Sequence, residues 1–176
     1  MTDEARLADP VDVLGALPQN SVVIFRHYGA SDREALASAL VGAARRQKVR
    51  VLIAADPALA VRVGADGLHL PEALAARGPG AWQNWRRPDW LVTASAHSLA
   101  ALFRARAAGA DAALLAPVFP TISHPEGLTL GKLKFSAWCR QSPVPVYALG
   151  GISGKTGRLL KNSGARGFAG ISGFLI

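Results

Sequence analysis

The stretch Pro145-Val-Tyr-Ala-Leu-Gly-Gly-Ile-Ser153 is followed, after a helix-like segment, by Ser163-Gly-Ala-Arg-Gly-Phe-Ala-Gly-Ile-Ser-Gly173. Two short apolar runs, Val146–Leu149 and Gly167–Ile171, each stop at glycine or serine. Such runs, bounded by turn residues, read as buried parallel strands. Gly150-Gly151 after the first run leaves backbone N–H groups bare, and Ser172-Gly173 after the second does the same and adds a hydroxyl. Two neighbouring strand ends with open N–H groups suit a phosphate, because they supply donors and no competing side chains. The bland alternative is that these glycines only make tight turns.

Working outward, the same punctuation recurs upstream. Apolar runs at Ser21–Arg26, Val49–Ala54, Gly67–Leu70, Trp90–Ala96 and Asp111–Ala116 alternate with helical patterns. Ser31-Asp-Arg-Glu34 reads as a capping box opening a helix that runs to about Lys48. Pro71 stands where the first turn of a helix is expected, and 78–89 reads as a connecting loop. Gly64-Ala-Asp-Gly, Gly109-Ala-Asp-Ala and Gly164-Ala-Arg-Gly each close a helix and open a strand, with the glycine as C-cap. Strand–helix alternation implies right-handed βαβ units and a parallel sheet. The fold class expected is α/β, a TIM (β/α)8 barrel in a single domain over residues 1–176. Phosphate sites of that class commonly lie after strands 7 and 8.

Seven strands are legible where a closed barrel has eight. The first would have to precede residue 10, and the last helix is missing, so the barrel reads as truncated at strand 1 and at the last helix. Its flanking strands would have unpaired edges. Either the N-terminal residues fold back over them or a second copy of the chain covers them, and a homo-oligomer is the expectation.

Composition narrows the function classes. Half of the 176 residues are hydrophobic, enough for a substantial core. No apolar run approaches the ~20 residues of a membrane helix, and Met1-Thr-Asp-Glu-Ala-Arg lacks the apolar stretch of a signal peptide. Cytoplasm is the expected location, with no membrane partner. The single Cys139 excludes an intrachain disulfide and a cysteine-built zinc site. The formal charge of +8 would suit nucleic acid or a phosphorylated ligand. The basic residues are scattered and no aromatic interleaving marks a stacking platform, so no nucleic-acid partner is expected.

Polar residues stand at the C-terminal ends of nearly all the strands: Arg26, Asp56, His69, Ser95 with His97, Thr121 with Ser123 and His124, Gly151, and Ser172. In a barrel those ends converge on one mouth. Each has a plain structural reading too: Asp56 as the N-cap of a helix starting at Pro57, His69 as a satisfied core histidine, Ser95 as the cap of the next helix.

The chain resembles the thiamine-phosphate synthase and TenI family from Val22 to Phe174. The resemblance is carried by Val23-Ile-Phe-Arg26, Ala54-Ala-Asp56, Val63-Gly-Ala-Asp-Gly-Leu-His-Leu70, Thr93-Ala-Ser-Ala-His97, Gly109-Ala-Asp111, Ala116-Pro-Val-Phe-Pro-Thr121, Ala148-Leu-Gly-Gly-Ile152 and Gly167–Ser172. It implies a barrel that joins a pyrimidine pyrophosphate to a thiazole phosphate, with Mg²⁺ neutralising the leaving pyrophosphate. A hard, oxygen-liganded ion suits that task. By position, the resemblance makes Arg26 a pyrophosphate ligand, Asp56 a Mg²⁺ carboxylate, and Ser95 a hydroxyl near the pyrophosphate. It makes Thr121 and Ser123 the loop that holds the thiazole phosphate, and Gly151, Ile171 and Ser172 the phosphate cup. Ser95 and His124 are the candidate catalytic residues.

Departures cluster in one half of that site. Tyr28 replaces a lysine, Ala55 an asparagine, Leu74 the second metal carboxylate, and His124 a loop lysine; Glu72 is the nearest acid, out of register. One carboxylate makes a poor Mg²⁺ site, so Mg²⁺ is expected to bind weakly or not at all. The thiazole-phosphate half is nearly intact, and the expected partner is a small phosphorylated heterocycle. The tautomerase branch of the family performs proton transfer on a thiazole phosphate without Mg²⁺. Its histidine aligns with Pro117, leaving His124 and His69 as candidate proton carriers. The alternatives are a divergent synthase, such a tautomerase, and a binding protein that has lost the chemistry.

Overall fold

In the computed structural model, residues 1–7, 9–121 and 127–171 are described. Ser123, His124 and Ser172 lie outside them. Among the described residues, seven strands follow one another in chain order in a parallel sheet, the α/β arrangement of a truncated barrel of the TIM class. The strands are β1 (Val22–Phe25), β2 (Arg50–Ala54), β3 (Gly67–Leu70), β4 (Leu91–Ala96), β5 (Ala112–Leu115), β6 (Val146–Ala148) and β7 (Gly167–Phe168). Between them run α1 (Arg33–Arg46), α2 (Pro57–Arg62), α3 (Glu72–Ala76), α4 (Leu99–Ala107), α5 (Gly131–Gln141) and α6 (Gly154–Leu159). The chain divides into two compact units: Met1–His69 with Trp82–Val92, and Leu70–Ala81 with Thr93–Gly173.

In the first unit β1, β2 and β3 pair in parallel, with Val23 opposite Val51 and Ile53 opposite Leu68. Val51, Leu52, Ile53 and Ala54 are all buried, both faces of the strand alike. That is why β2 reads as a continuous apolar run rather than an alternating one. Helix α1 buries Ala37, Leu40, Val41 and Ala44 on one face. Its N-cap is Asp32, with no side-chain cap bond, so the capping box expected from Ser31 and Glu34 does not form.

The open side of β1 is met by the N-terminal residues. Thr2 N–H donates to the Ile24 carbonyl at 2.9 Å. The next rung of a regular ladder would need the Thr2 carbonyl; instead Arg26 N–H donates to Thr2 Oγ1 at 3.0 Å. His27 extends the chain of bonds, with Nδ1 3.1 Å from Thr2 Oγ1 and Nε2 3.0 Å from the Leu7 carbonyl. Of the two covers foreseen for this edge, the folded-back N-terminus is present on β1.

In the second unit β4 to β7 continue in register, Ala94 opposite Ala113, Ala113 opposite Val146, and Tyr147 opposite Gly167. Helix α4 is capped by Ser98, whose hydroxyl accepts from Ala101 N–H at 3.1 Å. The cap expected from Ser95 is therefore taken three residues on, and Ser95 stays within β4. Expected strand 166–171 is regular over Gly167–Phe168 only, although Ala169 N–H still reaches the Ala148 carbonyl.

Among the described residues of the first unit, Asn20, Lys48 and Ala55 are non-glycine residues with positive φ. Ala55, between β2 and Asp56, has φ of +65°. A side-chain Cβ costs about 1–2 kcal/mol in this left-handed region. Glycine removes that cost but adds unfolded-state entropy of about 0.4–1 kcal/mol. Ala55→Gly is therefore expected to raise the thermal midpoint modestly, by roughly 2–4 °C per kcal/mol gained in a chain of this size. Calorimetry checks it, and a lowered midpoint would contradict the strain.

Candidate functional site

The loop after β5 zips onto the turn after β6 in the second unit. Val118 N–H donates to the Leu149 carbonyl at 2.9 Å and Phe119 N–H to the Gly150 carbonyl at 3.1 Å. The Gly151 carbonyl accepts from Thr156 Oγ1 at 2.7 Å. Thr156 also closes a capping box with Ser153, which starts α6. The carbonyls of three successive residues are thus consumed. Among the described residues, no protein acceptor takes the N–H of Gly150 or Gly151. Both adopt positive φ, +90° and +65°. A Cβ on Gly151 would overlap the Pro120 carbonyl and lie 2.8 Å from Phe119 Cβ. This contact brings the backbone just before Thr121 directly against the turn. Two open N–H donors beside a threonine can hold an oxyanion. Ile171 is half-buried in the bend after β7.

The first unit carries Arg26, Asp56 and His69. Arg26, half-buried, approaches Asp3 at 3.8 Å. Asp56 caps α2: its Oδ1 accepts from Leu59 N–H at 2.8 Å, with Pro57 at the first helical position. Its Oδ2 accepts from Arg33 Nη1 at 3.2 Å. The plain N-cap reading of Asp56 is realised, and the carboxylate has a cation besides. His69 is 1 % exposed. Burial, reinforced by the Arg26 charge, lowers its pKa to about 3. It is neutral at ordinary pH and buried, as the core-histidine reading expects.

Two clusters escaped the reading of the sequence. One is Arg33 on Asp56. The other is in the second unit, where Glu72 at the start of α3 gathers three donors. Its Oε2 accepts from His97 N–H at 3.0 Å and from His97 Nδ1 at 2.8 Å, and its Oε1 from Arg104 Nη2 at 2.8 Å. Burial alone would raise the Glu72 pKa, but the bonds from His97 and Arg104 outweigh it and hold the carboxyl below its usual range. Glu72 is thereby committed to protein donors. The partners lie 25 and 32 residues apart in the chain, so no local motif announces them. Among the described residues, no three of His, Cys, Asp and Glu gather where one metal ion could reach them.

With the geometry in place, comparison with known proteins gives a consistent result. The family profile described as "Thiamine monophosphate synthase" matches residues 3–174. The chain is 36% identical over 156 residues to the "Putative thiamine-phosphate synthase 2" of Aquifex aeolicus, covering 88% of this chain and 82% of that one. Among solved structures, "Thiamine phosphate pyrophosphorylase" from Pyrococcus furiosus superposes with a TM-score of 0.78 at 26% identity, over 97% of this chain and 83% of that one. A 3-hexulose-6-phosphate synthase matches with a TM-score of 0.64 at 16% identity, over 97% and 86% of the two chains, and shares the fold alone.

Proposed function

The chain belongs to the thiamine-phosphate synthase and TenI family, and on that premise we propose that its working half is a thiazole-phosphate site at the Gly150–Gly151 turn. The observation that carries this reading is the turn itself: its carbonyls are bonded to the loop after β5 and to Thr156, and among the described residues no protein acceptor takes its N–H groups. A phosphate monoester needs a few such donors and a hydroxyl. Thr121, immediately after the backbone that packs on Gly151, is the described hydroxyl, and Ser123 and Ser172 are the further ones the resemblance supplies. The thiazole ring would then lie beyond the phosphate, towards whatever it reacts with.

The synthase reaction would add a pyrimidine pyrophosphate, for which the resemblance supplies Arg26 as a ligand, with the thiazole nitrogen attacking as pyrophosphate departs. A second reading, binding or isomerising the thiazole phosphate without coupling it, is favoured by a specific observation. Asp56 and Glu72, the acids nearest the family's metal positions, are both bonded to protein cations. One experiment addresses each level. Calorimetric titration with thiazole phosphate is expected to show saturable binding; none would end the first claim. Mixing both substrates with Mg²⁺ and following thiamine phosphate by chromatography separates the readings. Product at catalytic turnover establishes the synthase, while binding without product establishes the second reading.

A further inference from the structure

The family resemblance places Mg²⁺ at Asp56, and the donor set there does not fit it. A hard divalent ion takes six or more oxygen ligands, several of them water. Asp56 offers one carboxylate whose Oδ1 is held by the Leu59 N–H and whose Oδ2 is held by Arg33. Leu74 stands where a second carboxylate would be, and Glu72 is committed to His97 and Arg104.

We infer that Arg33 is a resident cation that takes the metal's place at Asp56, so that this chain handles anionic ligands without a divalent ion at the end of β2. The guanidinium is built into the first unit from several directions. Nη1 donates to Asp56 Oδ2, and Nη2 donates to the carbonyl of Ala54, the last residue of β2, at 2.8 Å. The group lies 5.8 Å from the Phe25 ring centroid and 5.7 Å from that of Tyr28. Aromatic faces attract a cation electrostatically. Tyr28 stands where the family has a lysine, so an ammonium that would repel Arg33 is exchanged for a ring that attracts it. The Arg33 side chain is 17% exposed. A divalent ion bound to Oδ2 would sit against this fixed positive charge. At the end of β2 the Asp56 carboxylate thus has a built-in cation, and Tyr28, where the family has a lysine, faces that cation with an aromatic ring.

The inference concerns the first unit and is tested without any thiazole or pyrimidine ligand. The full chain, Asp56→Asn, Arg33→Met and the double variant are melted in EDTA and in millimolar MgCl₂. Mn²⁺ binding to the full chain is read in parallel by the attenuation of its free-ion electron paramagnetic resonance signal. Asparagine keeps the helix cap, so Asp56→Asn isolates the charge. The unsubstituted chain is expected to melt at the same temperature in both buffers and to leave the Mn²⁺ signal undiminished. Each single variant should lose several degrees, equally with and without Mg²⁺, and the double variant should lose less than the two losses added together. A rise in the melting temperature of the unsubstituted chain with Mg²⁺ that Asp56→Asn abolishes would overturn the inference, as would strictly additive losses. If a variant fails to fold, the two measurements on the unsubstituted chain still decide.

Discussion

Gly67→Ala is expected to cost the protein about 3 kcal/mol or more, the upper end of what forcing atoms into a packed interior costs. Gly67 opens β3, and a Cβ there would overlap the Leu91 carbonyl oxygen, with the Leu91 carbonyl carbon 2.8 Å away and Leu52 Cδ2 2.9 Å away. Leu52 could turn aside, being the end of a side chain. Leu91 could not, since its N–H is bonded to the Asp66 carbonyl at 3.0 Å, immediately beside Gly67. Two backbones in contact would have to separate inside the first unit. For a chain of this size the loss corresponds to roughly 6–12 °C in thermal midpoint. Circular dichroism melts give the number, with Gly15→Ala as a control at a site where a Cβ meets nothing within 4 Å. A shift no larger than the control's would mean that the two backbones are not so close.

The second large effect is on binding. Gly151→Ala places a Cβ into the Pro120 carbonyl and Phe119 at a residue with φ of +65°, so the turn must move or unwind. A hydrogen bond to a charged group contributes about 1.5–3 kcal/mol. Losing even one of the turn's N–H donors should therefore weaken phosphate binding by a factor of roughly ten to a hundred. Titration with inorganic phosphate and with thiazole phosphate measures it. Gly154→Ala, three residues on, is the control, because a Cβ there has open space. Thr156→Val is the milder probe, removing the hydroxyl that holds the Gly151 carbonyl at 2.7 Å while leaving the glycines in place. Unchanged affinity in folded Gly151→Ala protein would move the phosphate elsewhere.

What the sequence made legible follows from the range of the forces involved. The strands were readable because a parallel strand buried on both faces is a short local apolar run, as in Ala112–Leu115. Caps were less secure. Ser31 with Glu34 matched the capping pattern, yet Asp32 holds the N-cap position, and Ser98 rather than Ser95 starts α4. Several hydroxyls within one turn compete for the same role, and small differences in backbone angle choose between them. The candidate site divides the same way. The Gly150–Gly151 turn is a local signal, and its pairing with Ser172-Gly173 at the next strand end is what read as a phosphate site. Arg33 on Asp56 joins residues 23 apart, and the Glu72 cluster joins α3 to the end of β4 and to α4. Such pairs are set by which helix follows which strand, so they carry no spacing rule. The nearest available clue was an acid out of register beside a missing carboxylate.

The Glu72 carboxylate also bears on how the second unit moves. One side chain on a five-residue helix holds a backbone N–H at the end of β4 and a guanidinium on α4. A helix as short as α3 has little stability of its own and would otherwise fray independently. Tied through a single oxygen pair, α3, the His97 segment and the last turn of α4 cannot open separately without exposing a carboxylate stripped of its donors. They are expected to open as one cooperative unit in native-state hydrogen exchange, the His97 amide sharing the protection of α4 instead of exchanging fast at the end of its strand.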